Sequence, residues 1–300
     1  MVNKILTTTE GTHRGAFGGQ EWGLMLFAGI TWGASFLFIA EGLVAFEPGL
    51  IATLRIFFGA LTLTFLPKAR APVPREALRP IIALGFFWMA FPFVLFAIAE
   101  QKITSALAGM LNGAVPIFAV IIATIMLAKT PSRTQIAGLG IGTIGLVLMG
   151  LPSLGSASSA FGVLLVLIAL ASYGLSINIA APLQQQYGAL PVLWRSQLAA
   201  LVMSLPLGGY ALTKSSFAMT PLLAMIALGV GGTALAFVAM TTLIGRVGGS
   251  RASVTIYITP PVALLLGWMV RNDSVAPIAI AGSVVAILAA WVVSREKVTG

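Results

Sequence analysis

Few side chains in this sequence could do chemistry, and most of those that could are neutral. His13 is the single histidine and cysteine is absent, which excludes thiolate nucleophiles, thiolate metal sites and disulfides. The carboxylates are Glu10, Glu21, Glu41, Glu47, Glu76, Glu100, Asp273 and Glu296, all in polar stretches or near the ends of apolar ones. A Ser-His pair, paired aspartates or a metal cluster therefore has no members at depth. Catalysis, a cofactor and a bound metal are not expected.

What remains is the chemistry of binding. In GMLNGAVPIFAV, Gly109, Asn112, Gly113 and Pro116 fall at i, i+3, i+4 and i+7, so a helix puts them on one face. Pro116 withdraws a donor and frees a carbonyl one turn earlier. Val254, Tyr257, Ile258 and Pro261 occupy the same frame later in the chain, with Thr259 and Pro260 alongside. GFFWMAFPFVLF places Trp88 a turn before Pro92, and LGVGGTALAF carries Thr233. WGASF supplies Trp32 and Ser35; Tyr173 and Ser176 stand in a similar frame. Asn112, Ser35, Ser176 and Thr233 offer donors and acceptors to the charged ends of a small zwitterion, and Trp32, Trp88, Tyr173 and Tyr257 an apolar pocket for its side chain. Pro92, Pro116, Pro260 and Pro261 are candidate kinks or gates. The same faces would serve equally for close helix packing.

Arg55 and Arg195 are the only full charges deep in apolar stretches. Centring an arginine in a bilayer costs roughly 2.5–3.5 kcal/mol. A structural role is expected for both, the guanidinium pairing with helix-end carbonyls or snorkelling to the interface; the alternative is an anion clamp.

The elements that must hold these residues follow from composition. Of 300 residues, 58% are hydrophobic and 8% charged, with a mean hydropathy of +1.02, against about 25% charged in a soluble domain. A spanning helix needs about 20 apolar residues, and ten such stretches occur, at 22–41, 47–66, 79–99, 104–128, 134–150, 160–180, 189–211, 220–241, 250–271 and 275–293. The expected fold is an all-α membrane protein. The leader lacks the apolar run of a signal peptide, so it reads as a cytoplasmic tail. With the N-terminus inside, alternate connections hold twelve basic residues on the cytoplasmic side, among them Lys68, Arg70, Arg75, Arg79, Lys129, Arg133, Arg246 and Arg251, against Lys102, Lys214 and Arg271 outside. Both termini are thus expected in the cytoplasm, with Trp22 and Trp291 as interfacial anchors. The net charge of +9 belongs to these connections and not to a nucleic-acid surface.

The two halves match when shifted by about 141 positions. Trp32-Gly33 and Ser35 face Tyr173-Gly174 and Ser176; Arg55 faces Arg195; Pro80 and Phe96 face Pro221 and Phe237; and, after a short insertion, Ser105, Asn112 and Pro116 face Ser250, Tyr257 and Pro261. Five helices per half is odd, so the second half enters from the opposite side. An inverted repeat of this kind places a site near the midplane and predicts alternating access. The expected organisation is a tail over 1–21, repeats over 22–150 and 151–293, and a tail over 294–300. Gly138, Gly142 and Gly145 in the fifth span, and Gly282, Ala286 and Ala289 in the tenth, form small-residue faces for packing within the bundle or in a homodimer.

Five plus five spans, WGASF in the first, an arginine in the second and SALAGMLNGAVPIFAVIIA in the fourth resemble the drug/metabolite transporter superfamily with two EamA domains. Within it the chain is most similar to the amino-acid exporters of bacterial inner membranes. That resemblance implies an exporter of aromatic and other neutral amino acids or related small metabolites in the lipid bilayer, for which a monomer suffices and a homodimer is the alternative. Export of drugs or other metabolites, or a non-catalytic channel, is the alternative. With no carboxylate at depth, the expectation is a facilitator, or coupling through Glu41 or Glu100 at the outer rim.

Overall fold

The computed structural model describes residues 15–127, 133–151, 159–272 and 276–294. His13 and most of the leader, Lys129, Asp273, Arg295, Glu296 and Lys297 lie outside the described residues, as does the side chain of Trp291. Among the described residues every regular element is helical, as a bilayer demands of a chain whose backbone must satisfy its own hydrogen bonds.

The helices are α1 (Gly19–Gly42), α2 (Pro48–Thr64), α3 (Leu78–Gly85), α4 (Phe91–Ala99), α5 (Ser105–Asn112), α6 (Val115–Leu127), α7 (Arg133–Gly150), α8 (Ser159–Tyr187), α9 (Ala189–Leu212), α10 (Met219–Ala227), α11 (Ala236–Val247), α12 (Gly249–Ala252), α13 (Thr259–Arg271) and α14 (Pro277–Ser294). Every apolar stretch expected to span falls on one or more of them. Six continuous helical runs among the described residues are long and apolar enough to cross a membrane: 19–42, 75–99, 160–187, 189–212, 219–247 and 254–271. The helix expected over 160–180 continues to Tyr187 with Pro182 inside it.

Four spans are not plain helices. A π turn, Phe86–Ala90, joins α3 to α4, and a longer π segment, Leu228–Leu235, joins α10 to α11. In the first, Pro92 has no N–H to give Trp88, and the chain widens so that Phe91 N–H reaches back to Phe86 O. In the second, the run Gly229-Val230-Gly231-Gly232 supplies the slack, and Ala236 N–H reaches Gly231 O. The stretch GMLNGAVPIFAV is broken where the proline and glycine suggested: α5 ends at Asn112, a tight turn passes through Gly113, and α6 carries Pro116 in its first turn. The equivalent stretch is also broken, a 3-10 segment Ser253–Ile258 leading into α13, whose first turn holds Pro260 and Pro261.

Contacts between the halves form the core. α1 lies against α10, α11 and α13, α5 against α13, and α2 against α9 and the second π segment. Small residues allow the closest crossings. A Cβ at Gly33 would collide with Val262 of α13, and one at Gly109 with Ala263, so Gly109 is a packing residue. α7 and α14 pack on one another, and Gly142 of α7 lies against the Tyr257 ring inside the bundle.

Candidate functional site

Side chains from both halves converge on one cavity, whose empty space together with that at its open mouth is about 710 Å³. From α1 come Trp32, Ser35, Phe36 and Ile39, at i, i+3, i+4 and i+7 of a single face. Arg55 of α2, Trp88 of the first π turn, Phe96 of α4, and Asn112 and Val115 on either side of the helix break complete the first-half wall. The second half adds Tyr173 and Ile177 of α8, Phe237, Met240 and Ile244 of α11, and Ile256 of the 3-10 segment.

The walls are aromatic and interlocked. The Phe237 ring meets Trp32 edge-on at 5.3 Å and Trp88 at 4.9 Å. Phe96 stacks on Tyr173 at 5.8 Å and meets Phe36 edge-on at 5.6 Å. Such pairs hold rings in fixed orientations, worth about 0.5–1.5 kcal/mol each beyond their burial. Trp32 is tethered further, its Nε1 donating to Gly232 O at 3.0 Å. That carbonyl belongs to the second π segment, where the helical bonding pattern is disturbed.

Arg55 is the one full charge in the lining. It is 5% exposed, its guanidinium carbon lies 3.7 Å from the Phe93 ring centroid, and its Nε donates to Thr233 Oγ1 at 2.9 Å. Thr233 donates in turn to Leu228 O at 3.1 Å, and Gln197 Nε2 donates to Thr233 O at 2.7 Å. The arginine is thus held by its edge and one face. Asn112 brings a buried side-chain oxygen with no hydrogen-bond partner among the described residues, on the wall of the same cavity.

Of the expected binding residues, Trp32, Ser35, Trp88, Asn112 and Tyr173 line the cavity. Thr233 lies behind Arg55. Ser176 is fully buried and donates to Ser172 O in its own helix at 2.8 Å. Tyr257 is 1% exposed and packs its ring against Gly142 of α7, outside the cavity lining. Ile256, beside it, reaches the cavity instead: the 3-10 winding of 253–258 rotates the face away from a continuous α-helical frame. Pro92, Pro116, Pro260 and Pro261 all sit in first turns after a break.

The two arginines are placed differently. Arg195 is at one end of the bundle, donating to Pro191 O at 3.3 Å and Ala69 O at 3.5 Å and lying over Trp194. Arg195 thus lies at a helix end, whereas Arg55 is in the cavity wall. Phe36, Phe96 and Phe237 were not among the expected binding residues. Their signal was present: Trp32 and Tyr173, Phe36 and Ile177, and Phe96 and Phe237 are each 141 positions apart, and all six line this cavity.

Ion pairs join the halves at both ends of α1. Glu21 accepts from Arg246 Nε at 2.6 Å and from Gly18 N at 2.9 Å. Glu41 pairs with Arg271 at 3.3 Å in a more exposed setting.

The model of the EamA-like transporter family matches residues 22–151 and 160–295. The uncharacterized transporter YdfC of Bacillus subtilis is 26% identical over 263 residues, 85% of each chain. A probable terminal-alkyne amino-acid exporter of Streptantibioticus cattleyicolor is 26% identical over 283 residues, 92% of this chain and 93% of that one. The uncharacterized inner membrane transporter YedA of Escherichia coli K12 is 26% identical over 259 residues, 83% and 82% of the two chains. A solved crystal structure superposes with a TM-score of 0.68 at 15% identity, covering 94% of this chain and 99% of its own, a likeness of fold.

Proposed function

Since the chain belongs to the EamA-like transporter family and is a multi-pass membrane transporter rather than an enzyme, we propose that its cargo is an amino acid, aromatic or otherwise neutral, exported across a bacterial inner membrane. The observation that carries this reading is Arg55, a lone cation in a wall otherwise made of rings, aliphatic side chains and a few neutral polar groups. Among the described residues only its Nε is engaged by a protein acceptor, which leaves the Nη groups for a substrate carboxylate, a strong charge-assisted pairing. The Asn112 oxygen is an acceptor for the ammonium end. Trp32, Trp88, Phe96 and Phe237 enclose the side chain. A structural role for Arg55 alone fits this position less well than it fits Arg195. An exporter of organic cations would carry the opposite charge in the wall. The relative named as a probable amino-acid exporter points the same way.

Transport by alternating access between two inverted repeats, 22–150 and 151–293 in ten spans with both termini cytoplasmic, accounts for the paired features. The cavity residues repeat at 141 positions, the third and eighth spans each carry a π segment, and the fourth and ninth are each broken. One copy supplies every wall of the cavity, so a monomer suffices.

The test is counterflow of labelled phenylalanine, threonine and glutamate into liposomes containing the purified protein, with Asn112→Ala alongside. Saturable uptake of the neutral amino acids, weakened by the substitution, is expected. A folded protein that moves none of them overturns the assignment.

A further inference from the structure

A cation that takes a carboxylate has to be aimed, and Arg55 is aimed by residues outside the cavity lining. Thr233 and Gln197 are both fully buried. The Thr233 hydroxyl has a single proton, which goes to Leu228 O at 3.1 Å, five positions back in the π segment Leu228–Leu235. Its oxygen is left as an acceptor, and the Arg55 Nε–H fills it at 2.9 Å. Behind it, Gln197 Nε2 donates to Thr233 O at 2.7 Å. A carbonyl can only accept, so this bond fixes which end of the amide faces Thr233.

Two glycines bring these groups together. A Cβ at Gly59, one turn after Arg55 on α2, would stand 2.9 Å from Thr233 Cγ2 and 3.1 Å from Gln197 Oε1, and one at Gly229 of the π segment would collide with Phe58 and with Arg55 O. A side chain at either position would push the π segment off α2. The guanidinium so placed has little freedom: Phe93 covers one face, 3.7 Å from ring centroid to guanidinium carbon, and Thr233 occupies the edge at Nε. A guanidinium can meet a carboxylate side-on, through Nε and one Nη, or end-on, through both Nη groups. With Nε taken, the end-on fork is what remains.

We propose that Thr233 is a positioning residue for the cargo carboxylate, holding the Arg55 fork end-on to the cavity, with Gln197 as its brace. This rests on the exporter reading above and deepens it. The buried network serves the free carboxylate that amino acids share, whereas the rings of the wall choose among side chains. Neither Thr233 nor Gln197 touches the cargo, and both act through Arg55.

The experiment measures the concentration dependence of phenylalanine and threonine counterflow by the full chain in liposomes, for wild type, Thr233→Val, Thr233→Ser and Gln197→Met. Thr233→Val keeps the shape but cannot accept from Nε. It is expected to raise the KM for both amino acids alike, by about tenfold with Vmax moving less, while Thr233→Ser stays within about twofold of wild type. Gln197→Met leaves both hydroxyl bonds in place and should raise both KM values about threefold; it decides the matter should Thr233→Val not fold. Added to Arg55→Gln, Thr233→Val should have no further effect, since groups that act through one another are not additive. An unchanged KM, a Thr233→Ser defect as large as that of Thr233→Val, a rise confined to phenylalanine, or an undiminished effect on the Arg55→Gln background overturns the positioning role alone. Absence of counterflow in folded wild type overturns the exporter reading and the positioning with it.

Discussion

Arg55 and Thr233 are joined across the two halves of the chain, the arginine Nε donating to the threonine Oγ1 at 2.9 Å. Thr233 sits in the π segment between α10 and α11, and its hydroxyl bridges on to Leu228 O. The charge that faces the cavity is therefore tied from behind to an irregular turn of the other half. π segments are rare inside α-helices and frequent at functional sites.

Arg55→Gln is expected to lower phenylalanine counterflow by about tenfold or more, the loss of one charge-assisted hydrogen bond of about 1.5–3 kcal/mol. Arg55→Lys, which keeps the charge but not the fork, should recover part of it. Uptake of phenylalaninamide, which has no carboxylate, should change little. Equal losses for both probes would return Arg55 to a structural role.

Trp88 closes on Phe237 at 4.9 Å. Trp88→Ala removes an aromatic partner worth about 0.5–1.5 kcal/mol, so the KM for phenylalanine should rise about three- to tenfold while that for threonine moves less. An equal rise for both would place Trp88 in packing and not in side-chain selection.

Tyr257 is buried against Gly142, and its hydroxyl has no partner among the described residues. Removing an unsatisfied buried hydroxyl costs nothing and can stabilise, so Tyr257→Phe should transport as wild type and melt no lower. Gly142→Val drives a side chain into the Tyr257 ring, and overpacking of this kind costs about 1–3 kcal/mol, visible as a lower melting temperature in detergent. Loss of transport in Tyr257→Phe with intact melting would move Tyr257 into the site.

Glu21 is 2% exposed and Arg246 about one-third exposed in their ion pair. Glu21→Gln also weakens the acceptor for the Gly18 N–H, so its melting point should fall further than that of Arg246→Gln. The double variant should be less destabilised than the sum of the two, because directly interacting groups are not additive. Strict additivity would show that the pair contributes nothing.

The sequence by itself determined the class of protein and part of the wall of its cavity. Ten long apolar stretches in a chain with 8% charge admit only a helical bundle in lipid, because hydrocarbon offers no partner to an unpaired peptide group. The placement of Asn112 beside a helix break was readable because proline and glycine act on the backbone locally. The recurrence of Trp32 at Tyr173 and Phe96 at Phe237 was readable because the two halves repeat at a constant offset.

The tertiary structure decided what distance along the chain conceals. Arg55 and Arg195 match by sequence, but one meets Thr233, 178 positions away, and the other meets the carbonyls of a helix end. A 3-10 segment turned Tyr257 towards Gly142 and Ile256 towards the cavity, a rotation that residue types do not announce. Glu100 reads as a rim residue by its place in the chain, yet the fold closes over both its oxygens. The physical reason is the same in each case. Residue type sets what a side chain can do, and the neighbours that make it do so arrive from helices far off in the chain.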